Sequence, residues 1–149
     1  MLAQVGAHAA KQFAERVAVL NLTPPQARFL RAMGDASGLS QRELAEKLGM
    51  HTSRLVAIVD EMESLGLVVR EANAGDRRTH SLQITPKGRE RLARVIAVSR
   101  QHNEAFCAAL NQDERGTLVA LLRRIAEQQG LALVGHPSLN SSSGQPCSN

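Results

Sequence analysis

The sequence predicts a mainly α-helical domain carrying one small β-hairpin, and three observations predict it. Apolar residues recur at spacings of three and four along most of the chain, β-prone residues gather only near 67–69 and 81–84, and helix-start signals precede the apolar stretches. A length of 149 residues suits one domain with a modest core and helical extensions, and is short for two. Hydrophobic residues make up 43%, yet there are three Phe and no Tyr or Trp, so the core must be built from Leu, Val, Ile, Ala and Met.

In chain order, residues 3–20 set Val5, Ala9, Phe13, Val17 and Leu20 at helical spacing, an amphipathic first helix. Thr23, Pro24 and Gln26 supply a cap, a proline at the first helical position and a glutamine three residues after the cap. They start a second helix that runs to about Met33 and is broken by Gly34 to Gly38. Leu39 can enter a very short strand. Ser40 and Glu43 then form a capping box for a third helix, with Leu44 and Leu48 on one face and Ala45 as a small residue where another helix can approach. Gly49 can take the left-handed conformation that ends this helix, so a fourth begins near Met50 or His51. Its apolar stripe is Leu55, Ile58, Val59, Met62 and Leu65.

Two short helices around a glycine turn make a helix-turn-helix, and His51, Thr52, Ser53, Arg54 and Ala57 are left outside the stripe. That set suits a DNA major groove: the hydroxyls and the guanidinium can donate to phosphates or base edges, and the alanine lets the helix sit deep. A polar cluster at a helix start is also what an ordinary cap and solvated face look like, so the whole arrangement carries the reading rather than any one residue.

Downstream, the β-prone run Leu67 to Val69 and the alternation Ser81 to Ile84 flank a turn, giving a hairpin with Arg77 and Arg78 at its tip. Such a wing would bring guanidiniums to the adjoining minor groove; the alternative role for one arginine is an ion pair with Asp76 that pins the loop. Charge agrees. Between Arg70 and Arg94 lie seven basic and three acidic residues, so this segment holds the whole formal net charge of +4. The scarcity of aromatic rings disfavours single-stranded nucleic acid, which is bound by stacking.

The order of capped helices, Gly-Leu-Val strand, Asp76-Arg77-Arg78 wing and Leu82-Gln83-Ile84-Thr85-Pro86-Lys87-Gly88 resembles the MarR family of bacterial transcription regulators, from about residue 10 to residue 134. The stretch from Asp76 to Gly88 is its most specific part. The resemblance implies a winged helix-turn-helix and a homodimer on a pseudo-palindromic operator. By position it puts His51, Thr52, Ser53, Arg54 and Ala57 on the recognition helix, and Asp76, Arg77 and Arg78 on the wing. Ala57 departs from the larger polar or basic residue that many relatives carry. Family habit further implies a repressor released by a small aromatic or phenolic effector, in a pocket near the first, second and fifth helices. The polar candidates there are His8, Arg16 and Arg28.

Thr85 and Pro86 open a fifth helix reaching about Leu110, with Leu92, Val95, Ile96, Ser99, Phe106 and Leu110 on one side. Asn111 and Glu114 cap a sixth with Leu118, Leu121, Leu122 and Ile125, followed by Leu131 and Val134. These helices are more apolar than a winged helix of roughly seventy residues needs, which points to a second copy covering them. One domain is therefore expected over 1–134, with the winged helix-turn-helix at about 23–88 and dimerisation helices at about 3–20 and 86–134. From Gly135 the chain turns to Pro, Ser, Asn, Gly and Gln, the composition of a flexible tail.

No catalytic constellation is found, and no enzyme or cofactor is expected. The five histidines, His8, His51, His80, His102 and His136, lack the i, i+4 spacing of a helical metal site. Cys107 and Cys147 show no metal-type spacing, Cys107 reads as a small core residue, and a reducing compartment is implied. Residues 1–40 contain no cysteine, whereas redox-sensing relatives carry one near the N-terminus. Neither a secretory leader nor a membrane span is evident, so a cytoplasmic protein is expected. The leading function is an effector-responsive DNA-binding repressor. The alternatives are a constitutive or architectural DNA-binding protein, and a protein-interaction adaptor, against which Arg77 and Arg78 argue.

Overall fold

The computed structural model describes residues 1–34, 39–73 and 76–131, and the side chains of these apart from 72–80. The expected break at 35–38, residues Ala74 and Gly75, and the expected tail, with Val134 and Cys147, lie outside the described residues. Within the described residues, six helices and a two-stranded antiparallel sheet follow in the order α1 (Leu2–Ala18), α2 (Pro24–Gly34), α3 (Gln41–Leu48), α4 (Thr52–Ser64), β1 (Val68–Asn73), β2 (Asp76–Ile84), α5 (Pro86–Phe106) and α6 (Gln112–Gln128). Among the described residues no helix is long and apolar enough to cross a membrane.

Local chemistry sets most boundaries. At α3 the capping box is complete: the Glu43 backbone N–H donates to Ser40 Oγ at 3.3 Å, and the Ser40 backbone N–H donates to Glu43 Oε2 at 2.8 Å. These hydrogen bonds, the Ser40 hydroxyl first, hold the Glu43 carboxyl below its ordinary pKa. Gly49 closes α3 at φ 62°, ψ 39°, with its own N–H and that of Met50 turned back onto the carbonyls of Glu46 and Ala45. At α2, Gln26 reaches back to the Thr23 backbone N–H at 2.8 Å, and its amide donates to Glu61 on α4 at 2.7 Å.

The core lies beneath α2, α3, α4 and the hairpin. Phe29, Leu30, Leu44, Leu48, Leu55, Val59, Met62, Leu67 and Leu82 are fully buried, joined by Val17 from α1 and Val95 from α5. Each such side chain withdraws apolar surface worth about 1.5 to 3 kcal/mol. Leu65 departs from the expected stripe and is 38% exposed. The cause is that α4 ends at Ser64 and the chain turns through Gly66 at φ 69°, so helical spacing no longer aims Leu65 inward and Leu67 takes the core position.

The hairpin is longer than the β-prone runs suggested. Its register pairs Val68 with Ile84 and Ala72 with His80, then passes to Asn73 with Asp76, an irregularity that skips residues 77–79. The short strand expected at Leu39 is reduced to a bridge between Ser40 and Ser81, with the Leu82 N–H donating to the Leu39 carbonyl at 3.3 Å.

The Thr85 to Gly88 turn joins the sheet to α5 through four separate interactions. Thr85 Oγ accepts the Gly88 N–H at 2.9 Å and donates to the Gly66 carbonyl at 2.8 Å. Pro86 occupies the first helical turn, Lys87 Nζ donates to the Leu65 carbonyl at 2.8 Å, and Gly88 lies directly against the Leu67 carbonyl.

At its other end α5 stops at Phe106, short of the expected Leu110. Cys107 leaves helical geometry there, and the Arg115 guanidinium Nε donates to the carbonyls of Cys107 and Leu110 at 3.1 and 2.9 Å, satisfying the open end. Cys107 is half-buried rather than a core residue. The capping box of Asn111 and Glu114 is present as expected.

Where α1 crosses α5, His102 is 7% exposed between Phe13 and Phe106, whose ring centroids lie 5.5 and 5.7 Å away. Its Nδ1 has no hydrogen-bond partner among the described residues. Burial, and then the positive charge of Arg16, lower the imidazole pKa.

Two outcomes follow for stability. A Cβ at Gly88 would overlap the Leu67 carbonyl oxygen and lie 2.7 Å from Ile84 Cγ1, so Gly88→Ala is expected to destabilise the fold by about 2 to 3 kcal/mol in urea unfolding. For His102, the folded state disfavours the proton that the unfolded chain accepts as pH falls through about 6.5. Stability therefore declines on acidification. The melting temperature should drop less for His102→Leu than for the wild type between about pH 7.5 and 5.5, and parallel declines would exclude this contribution.

Candidate nucleic-acid interface

The start of α4 is built to face outward. Its inner side is fixed by Leu55, Ile58, Val59 and Met62, all buried, so helical geometry turns His51, Thr52, Ser53, Arg54 and Ala57 to solvent, and all five are exposed. His51 is the N-terminal flanking residue but its side chain makes no capping bond, and the first turn contains no acidic residue. The helix thus presents uncapped backbone N–H groups and the positive end of its dipole, a ready environment for phosphate. The Arg54 backbone N–H donates to the His51 carbonyl at 3.1 Å, while its guanidinium has no hydrogen-bond or ion-pair partner among the described residues.

Beside it, the sheet carries Asp76, Arg77 and Arg78 into the hairpin at the start of β2; their side chains lie outside the description. The base of the hairpin is held from two directions. The Ser40–Ser81 bridge ties β2 to the start of α3, and the Arg70 guanidinium ties β1 to α4 by ion pairs with Asp60 at 2.5 Å and with Glu63.

Much of the basic segment is engaged in such work. Lys87, Arg89 and Arg91 donate to the backbone carbonyls of Leu65, Ile84 and Leu20, the Arg89 bond being 2.9 Å. A carbonyl does not neutralise a cation, so these residues keep their field while losing their freedom to move. Arg70, facing two carboxylates, contributes no net positive charge. Sequence spacing could not distinguish these roles, because every partner except the Ile84 carbonyl lies at least seven residues away in the chain.

The three residues expected near an effector pocket divide. His8 and Arg16, two turns apart on α1, each lie near α5, His8 with its ring 6.2 Å from Phe106 and its Nε2 3.0 Å from Gln12, and Arg16 close enough to influence His102 electrostatically. Arg28 instead donates to the Leu48 carbonyl at 2.9 Å, bracing the end of α3 from α2. His102 is the residue sequence reasoning missed as the centre of the α1–α5 crossing. The helical repeat from Val95 through Ser99 to His102 was the available signal. Among the described residues no group of His, Cys, Asp or Glu is arranged to hold a metal ion.

Known proteins share this architecture. A profile of the MarR family matches residues 20–79. The chain is 35% identical over 119 residues to a transcriptional regulatory protein for the hcr operon of Thauera aromatica, covering 79% of this chain and 72% of that one. It is 32% identical over 105 residues to the transcriptional regulator HosA of Escherichia coli O157:H7, covering 70% and 78%. Among solved structures, the transcriptional repressor CouR bound to a 23-mer DNA duplex superposes with a TM-score of 0.78 at 34% identity, over 84% of this chain and 89% of that one. With its helix pair joined by a glycine turn, two-stranded wing and flanking helices, the chain belongs to the MarR family of winged helix-turn-helix transcriptional regulators.

Proposed function

We propose that this protein is a cytoplasmic, homodimeric repressor that binds a pseudo-palindromic operator in double-stranded DNA and leaves it when a small aromatic or phenolic effector binds. The observation that carries the DNA reading is the outward, uncapped first turn of α4, held by a buried apolar face, with an Arg54 guanidinium that has no partner among the described residues. The similarity to a repressor bound to a DNA duplex supports it. In this reading Thr52, Ser53 and Arg54 meet base edges and phosphates of the major groove, Ala57 permits close approach, and His51 contacts the backbone. Arg77 and Arg78 enter the adjoining minor groove, with Asp76 bracing the wing.

Dimerisation is supported by the state of the outer helices. Of the 17 residues of α6 only Ala126 is buried, while Leu121, Leu122 and Ile125 are each 45–48% exposed. Leu2 and Val5 of α1 are exposed as well. A single helix with an uncovered apolar stripe gains little from its own propensity, and a second copy supplies the missing contact. The effector would lodge where α1 meets α5, with His8 and Arg16 as polar contacts and Arg28 as a further candidate through α2. The positive charge of Arg16, which reaches the His102 ring packed against Phe106, suits a phenolate or aryl carboxylate.

The test is binding of the purified protein to a duplex it has enriched from a random-sequence pool. Arg54→Ala is expected to cost about 1 to 3 kcal/mol on that duplex and less on unrelated DNA, whereas equal losses would make it a phosphate contact. Arg77→Ala or Arg78→Ala should weaken all duplexes and lower the slope of log affinity against log salt by about one unit. In sedimentation, Leu121→Asp with Ile125→Asp is expected to convert dimers to monomers; an unchanged mass would place the subunit contact elsewhere.

A further inference from the structure

We infer that Arg70 is a positioning residue: its clamp on Asp60 and Glu63 sets the angle of the wing relative to the reading helix, and so decides whether the two reach adjoining grooves together. The inference rests on the DNA reading proposed above. Glu63 engages Arg70 twice, accepting its backbone N–H at 2.9 Å through Oε1 and its guanidinium through Oε2, while a second arm of the guanidinium reaches Asp60 Oδ1 at 2.5 Å. Two carboxylates one helical turn apart on α4 thus hold both the main chain and the side chain of one strand residue. The planar fork of arginine can bridge them in a way lysine cannot.

The clamp is placed where leverage is greatest. The strand leaves α4 through Leu65 and Gly66, the latter at φ 69°, so the connection itself is a glycine pivot. A two-stranded hairpin has little stability of its own. On the β2 side it is tied to α3 through Ser81 and Leu82, and on the β1 side through Arg70 to α4. From Arg70 to the end of β1 the strand advances roughly 10 Å at about 3.3 Å per residue, so a swing of about 20° at the clamp would move that end of the strand by about 3 to 4 Å. That exceeds the tolerance of a hydrogen bond to phosphate or base. The side chain of Arg70 is 24% exposed and that of Glu63 30%, so this ion pair is less screened than a surface one.

A purely electrostatic role is the rival, since removing Arg70 would bare two carboxylates near DNA. The triple variant Arg70→Met, Asp60→Asn, Glu63→Gln separates them, because it removes the clamp while making the local charge more favourable than in the wild type. The probe is a duplex enriched by the wild-type protein from a random pool, read by hydroxyl-radical protection in the minor groove and by guanine N7 methylation protection in the major groove. Arg70→Met and the triple variant are both expected to lose the flanking minor-groove protection, keep the N7 protection, and bind on the order of tenfold more weakly. Glu63→Gln, a milder change, should lose part of the minor-groove protection. Recovery of that protection in the triple variant would reduce Arg70 to charge cancellation, and full protection in Arg70→Met would remove the inference altogether. Loss in both grooves together with a lowered melting temperature would make the clamp merely structural. Absence of flanking minor-groove protection in the wild type would instead overturn the DNA reading beneath it.

Discussion

The apolar seam behind α4 is the constraint from which the remaining geometry follows. A helix can offer a polar first turn to a partner only if its opposite side cannot roll, and Leu55, Val59 and Met62 are each completely buried against α2, α3 and the hairpin. Gly49 and Gly66 bound that helix with left-handed turns, so its length is fixed as firmly as its rotation. The core therefore does two things at once: it stabilises the fold, and it aims Arg54 and its neighbours.

Around this helix a second tier of polar contacts sets position rather than stability. Gln26 joins α2 to Glu61, Arg28 joins α2 to the Leu48 carbonyl, and Arg70 joins β1 to Asp60 and Glu63. Each contact spans two elements, and two of the three end on α4. Helix α4 is thus the member to which the others are referenced.

What could be read from sequence alone was the local part. Ser40 with Glu43, Asn111 with Glu114, and Thr85 ahead of Pro86 are capping signals confined to four residues, and all three occur where expected. The stripe on α4 was legible through Met62, because helical spacing holds for as long as the helix does; Leu65 failed as soon as the helix ended. Arg70, Arg91 and His102 were not legible in their actual roles. Their partners are brought in by tertiary packing, with Arg91 meeting a carbonyl 71 residues distant. A basic segment looks the same in sequence whether its guanidiniums face solvent or brace a backbone. The end of α5 was missed for a related reason, since the side chain that closes it, Arg115, comes from the following helix.

The bareness of α6 carries a consequence for how such a protein would respond to its own abundance. A subunit alone leaves a row of leucines and an isoleucine in water; were the proposed pairing to hide them, assembly and folding of that arm would be one equilibrium governed by mass action. Below the concentration at which pairing is half complete, occupancy of a two-part site would rise with the square of the number of chains rather than in proportion to it. A modest change in synthesis or turnover would then act as a threshold.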